Sequence, residues 1–204
     1  MKKKDIKNDY RGLIFNKYSF QIRLNLSSFC CNIYNKINCI IKGISLGRDC
    51  NFWGRAFFYR IPNTKILVGN RCGFRSSATS NLIGINRPCI ISTLLPNAVI
   101  NVGDYCGFSG TVIGAFINVT IGNNVLCGAN TLITDADWHL DDPRSGVPKP
   151  VLIEDNVWLG EGVKVLKGVT IGVNTVIGAG SVVTKNIPAN VIAAGNPCKV
   201  IKQL

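Results

Sequence analysis

His139 is the only histidine in a chain of 204 residues. It stands in the run TDADWHLDDPRSGVPKPV, residues 134–151, with Trp138 before it and Asp135, Asp137 and Asp141 close by. An unperturbed imidazole titrates near neutrality and is the natural general base there. A neighbouring carboxylate or carbonyl can fix one ring N–H and leave the other nitrogen free to take a proton. This run therefore predicts proton abstraction from an acceptor O–H or N–H. His139 is the base and Asp137 orients it or binds the acceptor, with Asp135 and Asp141 behind. One histidine cannot furnish a His-rich metal centre, and the nine cysteines contain no CxxC pair. No metal is expected.

A base needs a rigid support, and the sequence supplies one. From Ile153 to Pro188 the chain divides into IEDNVW, LGEGVK, VLKGVT, IGVNTV, IGAGSV and VTKNIP. Ile, Leu or Val opens every block, with Gly next in three of the six. The fifth position is small or β-branched throughout, ending at Ile187. A period of six fits neither a helix nor a single strand, and belongs to a stacked coil.

Upstream the same pattern returns less regularly. Leu46, Val68, Val102, Ile121, Ile153 and Ile171 each look like the start of a coil, at spacings of 22, 34, 19, 32 and 18 residues. Three hexads make one triangular coil, with aliphatic residues inward and Gly and Asn at corners that need φ > 0. The long steps predict loop insertions near 80–95 and 137–150, where a solenoid carries function. The fold expected is all-β, a parallel β-helix over 44–204 preceded by a basic segment at 1–43. Cys50, Cys72 and Cys106 fall at fifth positions and Cys127 at a first, so they read as small buried apolar residues.

Charge is uneven. The net charge is +12, and residues 1–45 carry nine Lys/Arg against Asp5 and Asp9. Ile22, Leu26, Phe29, Ile33, Ile37 and Ile40 recur at steps of three and four, which predicts an amphipathic helix from about 21 to 41, stopped by Gly43. The first expectation is that this helix packs on the end of the coil as a cap over its last apolar face. The second is that it docks peripherally on the inner membrane face with help from the lysines. No apolar run of 18 exists and MKKKDIKNDYRG lacks a secretory core, so a cytoplasmic, reduced protein is expected. Nucleic acid is not an expected partner.

With these residues in view, the sequence resembles the left-handed parallel β-helix acyltransferases, the hexapeptide-repeat family of galactoside, maltose and serine acetyltransferases. The resemblance runs from about Gly43 to Ile201. It is most specific in NVWLGEGVKVLKGVTIGVNTVIGAGSVVTKNIP and AAGNPCKVIK; DADWH and GFSGTVIG (Gly107–Gly114) resemble sugar O-acetyltransferases of surface-polysaccharide pathways. It implies acetyl-CoA as acyl donor, a sugar or glycan hydroxyl as acceptor, and a homotrimer with sites between subunits.

Carried over by position, the resemblance makes His139 the catalytic base and sets Trp158 beside the pantetheine arm. Gly160 and Ala179 lie where backbone groups hold that arm, Thr184 and Lys185 near the adenosine, and Lys199 and Lys202 near the phosphates. Glu161 stands where relatives often have Ser or Ala. Ser109 or Asn130 is a candidate oxyanion donor, and Trp138 and Asp141 complete the acceptor side. Two alternatives stay open: N-acetylation of an amino-sugar nucleotide or other small amine, and a non-catalytic β-helix assembly subunit. A carbonic anhydrase on the same coil is excluded by the single histidine.

Overall fold

The computed structural model describes residues 28–204. Three sheets of six, eight and six strands enclose one core, and every inter-strand pairing is parallel except the last. Successive strands pass from the first sheet to the second, to the third and back, so each circuit is one coil of a left-handed parallel β-helix. Six coils are complete. The expected coil starts form one column of the first sheet: Leu46 pairs with Val68, Val68 with Val102, Val102 with Ile121, Ile121 with Ile153, and Ile153 with Ile171.

The coil forms because short strands satisfy their backbone groups on the coils above and below while one aliphatic residue per hexad turns inward. In the second sheet that inward column is aromatic at the N-terminal end. Phe52 stacks on Phe74 at 4.8 Å between ring centroids and Phe74 on Phe108 at 5.2 Å. Offset stacking adds to the area these rings bury. Cys127, Leu159, Ile177 and Ala193 continue the column with smaller side chains.

Between the first and second sheets, Asp49, Arg71, Tyr105, Asn124, Asn156, Asn174 and Asn190 all take φ between 55° and 60°. Asparagine tolerates this region, and here its amides also form a ladder from Asn124 through Asn156 and Asn174 to Asn190 at 3.0–3.2 Å. Cys50, Cys72 and Cys106 are buried, their Sγ atoms against the carbonyls of Gly69, Gly103 and Gly122. The hydrogen bond shared with Cys106 is the main cause pushing the Cys72 thiol up to about 12. These are core residues, not nucleophiles.

Two insertions interrupt the coil, the first lying earlier than the expected 80–95 because Ile90–Thr93 is a strand. One occupies 76–89, between strands Gly73–Arg75 and Ile90–Thr93; the other occupies 135–150, between Leu132–Thr134 and Val151–Ile153.

The N-terminal helix runs over described residues 28–41; the 21–27 part of the expected helix lies outside them. Gly43, at φ 63°, closes it: Gly43 N–H bonds Ile40 and Ile44 N–H bonds Cys39, the six-to-one and five-to-two pattern of a glycine C-cap. The helix caps the coil, and it does so with its amide-bearing face. Asn35 is fully buried, donating to Cys31 and Gly54 carbonyls and accepting from Ala56 N–H, while Asn32 accepts from Phe52 N–H. The first coil ends in unpaired backbone groups, and amides answer those better than aliphatic side chains do. The apolar stripe is left on the outside.

Candidate active site

The loop bearing His139 leaves the third sheet and returns to the first, at the corner opposite the second sheet. Asp135 starts it and is wholly buried. Its carboxylate accepts N–H bonds from Phe116, Ile117 and Asn118 of the preceding coil at 2.7–2.8 Å, and its backbone carbonyl accepts from Lys149. This corrects the expectation that Asp135 binds acceptor: the side chain is unreachable and its oxygens are taken. It is the rivet that fastens the loop.

Trp138 is half-exposed but does not stand free. It is held at φ 71°, its Nε1–H bonds Thr134 Oγ1 at 3.0 Å, and its ring meets Phe116 edge-on at 5.5 Å. The ring lies over Gly114, where a Cβ would come within 2.5 Å of it. A left-handed Trp stores strain, and such strain is found beside functional groups. Its effect is to turn His139 outward into solvent. The His139 carbonyl accepts from Asp142 N–H and Ser145 Oγ, and among the described residues the imidazole makes no hydrogen bond.

Asp137 holds His139 through its backbone, its carbonyl accepting the His139 N–H at 3.0 Å, and not through its carboxylate. Its Oδ2 pairs with Lys167 Nζ and accepts from Gly146 N–H, which draws the loop together. Asp141 is exposed near the tip, next to Asp142, which takes the Arg144 guanidinium. The Lys167 hydrogen bond first, and Gly146 N–H after it, hold the Asp137 carboxyl below its ordinary value. A depressed folded-state pKa means the stabilisation is full above the unfolded value of about 4 and lost as pH falls through the folded one. Protection of the Gly146 amide from hydrogen exchange should therefore drop below about pH 4, and Asp137→Asn should show the drop already at pH 7. The pair is solvated, so the effect is local; equal protection in both proteins at both pH values would refute it.

The second sheet carries a different surface. Trp158 stands out from it, half-exposed, above a trough of about 430 Å³ lined by Asn81, Ile83, Gly128, Gly160, Glu161 and Ala179 among others. Its floor is bare because the coils touch there: a Cβ on Gly128 would lie 2.6 Å from Gly160, and one on Gly160 2.6 Å from Ala179 N. Further along the same sheet, past two more strands, Lys199 and Lys202 stand exposed on the final strand Lys199–Gln203.

Toward the N-terminal end the trough continues into a hollow of about 320 Å³ between Trp53 and Trp158. Gly73 and Gly107, in register in the outward column, open it. Ser109, nearly buried, lines it and accepts from Asn81 Nδ2 at 3.1 Å, and Arg75 lies over Trp53 at 4.5 Å. Trp53, Arg75 and Asn81 were not among the expected site residues; the signal that points to them is glycine at two successive outward positions of one column. Asn130 is a clasp, not an oxyanion donor: its amide accepts from Asn86 N–H and donates to Gly84 carbonyl, holding the 76–89 loop against the coil.

The predicted site residues thus fall into two groups. Trp158, Gly160, Ala179, Ser109, Lys199 and Lys202 belong to the second sheet. His139, Asp137, Trp138 and Asp141 belong to the opposite corner, and so do Thr184 and Lys185, which follow strand Val182–Val183 of the third sheet two coils further on. Within the chain the two groups stand on different faces of the coil. Among the described residues no three His, Cys, Asp or Glu side chains converge as a metal set.

Residues 150–185 match the family model for the bacterial transferase hexapeptide, six repeats. The chain carries the transferase hexapeptide repeat. Around that repeat it is 49% identical over 90 residues to the galactoside O-acetyltransferase of Escherichia coli K12, covering 42% of this chain and 44% of that one. It is 48% identical over 108 residues to the galactoside O-acetyltransferase of Lactococcus lactis, covering 47% and 52%. The matches span about half the length of these relatives. Among solved structures, the coil resembles a hexapeptide-repeat acetyltransferase from Vibrio cholerae complexed with acetyl-CoA, at TM-score 0.54 and 20% identity over 97% of this chain and 90% of that one. It also resembles a Bacillus cereus N-acyltransferase complexed with dTDP-4-amino-4,6-dideoxyglucose and coenzyme A, at TM-score 0.60 and 19% identity over 82% and 88%. At such identities the likeness is one of fold.

Proposed function

We propose that this chain transfers an acetyl group from acetyl-CoA to a sugar hydroxyl, at sites completed between copies of a homotrimer. The observation that carries the reading is the split of the candidate residues. A donor trough lies on the second sheet and a solvent-facing histidine on the corner opposite, so a neighbouring copy must bring the base to the trough. Thr184 and Lys185 travel with His139, so the neighbour would also close over the donor's adenosine end.

The trough suits the donor. A pantetheine arm is long, thin and amide-bearing, and a floor of glycine and alanine lets it approach exposed backbone while Trp158 covers it. Lys199 and Lys202 stand where phosphates emerge, and an ammonium meets a phosphate as a point charge. Glu161 lines the same trough and opposes a polyanion unless its carboxylate turns to solvent. The galactoside O-acetyltransferase relatives support a sugar hydroxyl as acceptor, and the DADWH run supports a place in polysaccharide modification.

In the reaction His139 accepts the acceptor's hydroxyl proton as the oxygen attacks the thioester carbonyl. The C–O bond forms, a tetrahedral oxyanion collapses, the C–S bond breaks, and the thiolate leaves with the proton returned by the imidazolium. The hollow beside the trough, with Ser109, Asn81 and Arg75, offers the acceptor polar partners. Thiol release from acetyl-CoA across galactosides, other neutral sugars and amino sugars tests this. Turnover of sugars lacking an amine is expected. Turnover of amino sugars alone would move the reading to N-acetylation, and CoA binding without turnover of any sugar would refute it.

A further inference from the structure

We propose that the N-terminal helix seats the chain on an anionic membrane surface, lying in the interface with its aliphatic stripe in the lipid. The inference is independent of the acetyl transfer. It starts from the packing of the cap. Asn32, Asn35 and Cys39 meet the coil, and the stripe left outside holds Phe29 at 68% exposure, Ile33 at 48%, Ile37 at 51%, and Ile40 and Ile41 both at 77%. Five large apolar side chains on one helix face are costly to leave in water and mark a surface made for contact.

Charge decides what the contact is with. Residues 1–60 hold twelve Lys/Arg against three Asp, which places nine of the chain's twelve net positive charges at this end. Lys36 lies on the helix, Lys42 follows it, and Arg55 stacks on Tyr34 at 4.7 Å. A second copy docking through this face would bring two strongly positive ends together, which repel. An anionic lipid surface answers both features: the aliphatic stripe enters the acyl boundary while the lysines meet the headgroups. Among the described residues no helix is long and apolar enough to cross the bilayer.

The test uses the full chain and sedimentation with vesicles of phosphatidylcholine containing phosphatidylglycerol. Binding is expected there, and at least about tenfold weaker on phosphatidylcholine alone. The double variant Ile37→Glu, Ile40→Glu should melt like the parent, because both side chains are exposed, yet lose about tenfold or more of the binding. A chain that ignores anionic vesicles at low salt overturns the proposal. So does a double variant that binds as well as the parent, which would reduce the contact to loose basic charge. So does light scattering in which the substitutions dissolve a self-assembly while the parent leaves lipid unbound.

Discussion

Replacing His139 by alanine is expected to lower turnover by at least about 100-fold, with CoA binding and the melting temperature unchanged. General-base assistance accounts for the size of the loss. The unchanged stability follows from the structure: the imidazole is solvent-facing and unpaired within the described residues, while the His139 carbonyl, which holds Asp142 and Ser145, survives the substitution. Ala179 sits exposed at the trough's edge, so Ala179→Trp should fill the trough without straining the coil. Each variant alone should be inactive. If base and trough belong to different copies, mixed assemblies of the two should regain about a quarter of parental activity, because some sites pair an intact histidine with an intact trough. Full activity in His139→Ala would remove the base. Strictly inactive mixtures, with co-assembly verified, would place base and trough in one copy.

The architecture was readable because a β-helix writes its long-range contacts as local period. Leu46, Val68, Val102, Ile121, Ile153 and Ile171 come from unequal spacings, yet they form one hydrogen-bonded column, and the residues left over by those spacings are the two loops. The cap was harder. Periodicity reports that a helix has two faces but not which of them the coil's open end requires, and unpaired backbone groups chose asparagine. The site was legible only in halves. His139 announces itself by rarity and Trp158 by its place in the repeat, but the hollow near Trp53 and Arg75 is assembled from strands far apart in sequence, and the separation of the two groups depends on which face each strand joins.

Asp135 shows most sharply how residue type misleads without burial, and its replacement carries the second large expectation. In the run DADWH it has the look of an acid beside a base. Asp135→Ala should instead destabilise the fold by about 3 kcal/mol, since one buried and two partly buried N–H groups lose their carboxylate acceptor at roughly 1 kcal/mol each. For a domain of this size that corresponds to a fall in melting temperature of about 10 °C. Asp135→Asn is the sharper control. The amide keeps the shape and one acceptor oxygen, but its NH₂ must face at least one of the Phe116, Ile117 and Asn118 donors, so it should fall between parent and alanine. A group that bound acceptor would behave differently, changing KM while leaving the melting temperature alone. Because the Asp135 carboxylate fastens the root of the loop to the preceding coil, loss of stability and loss of activity should appear together in Asp135→Ala, whereas in His139→Ala they separate. Measuring both variants by thermal melt and by thiol release distinguishes the residue that holds the loop from the residue the loop is there to hold.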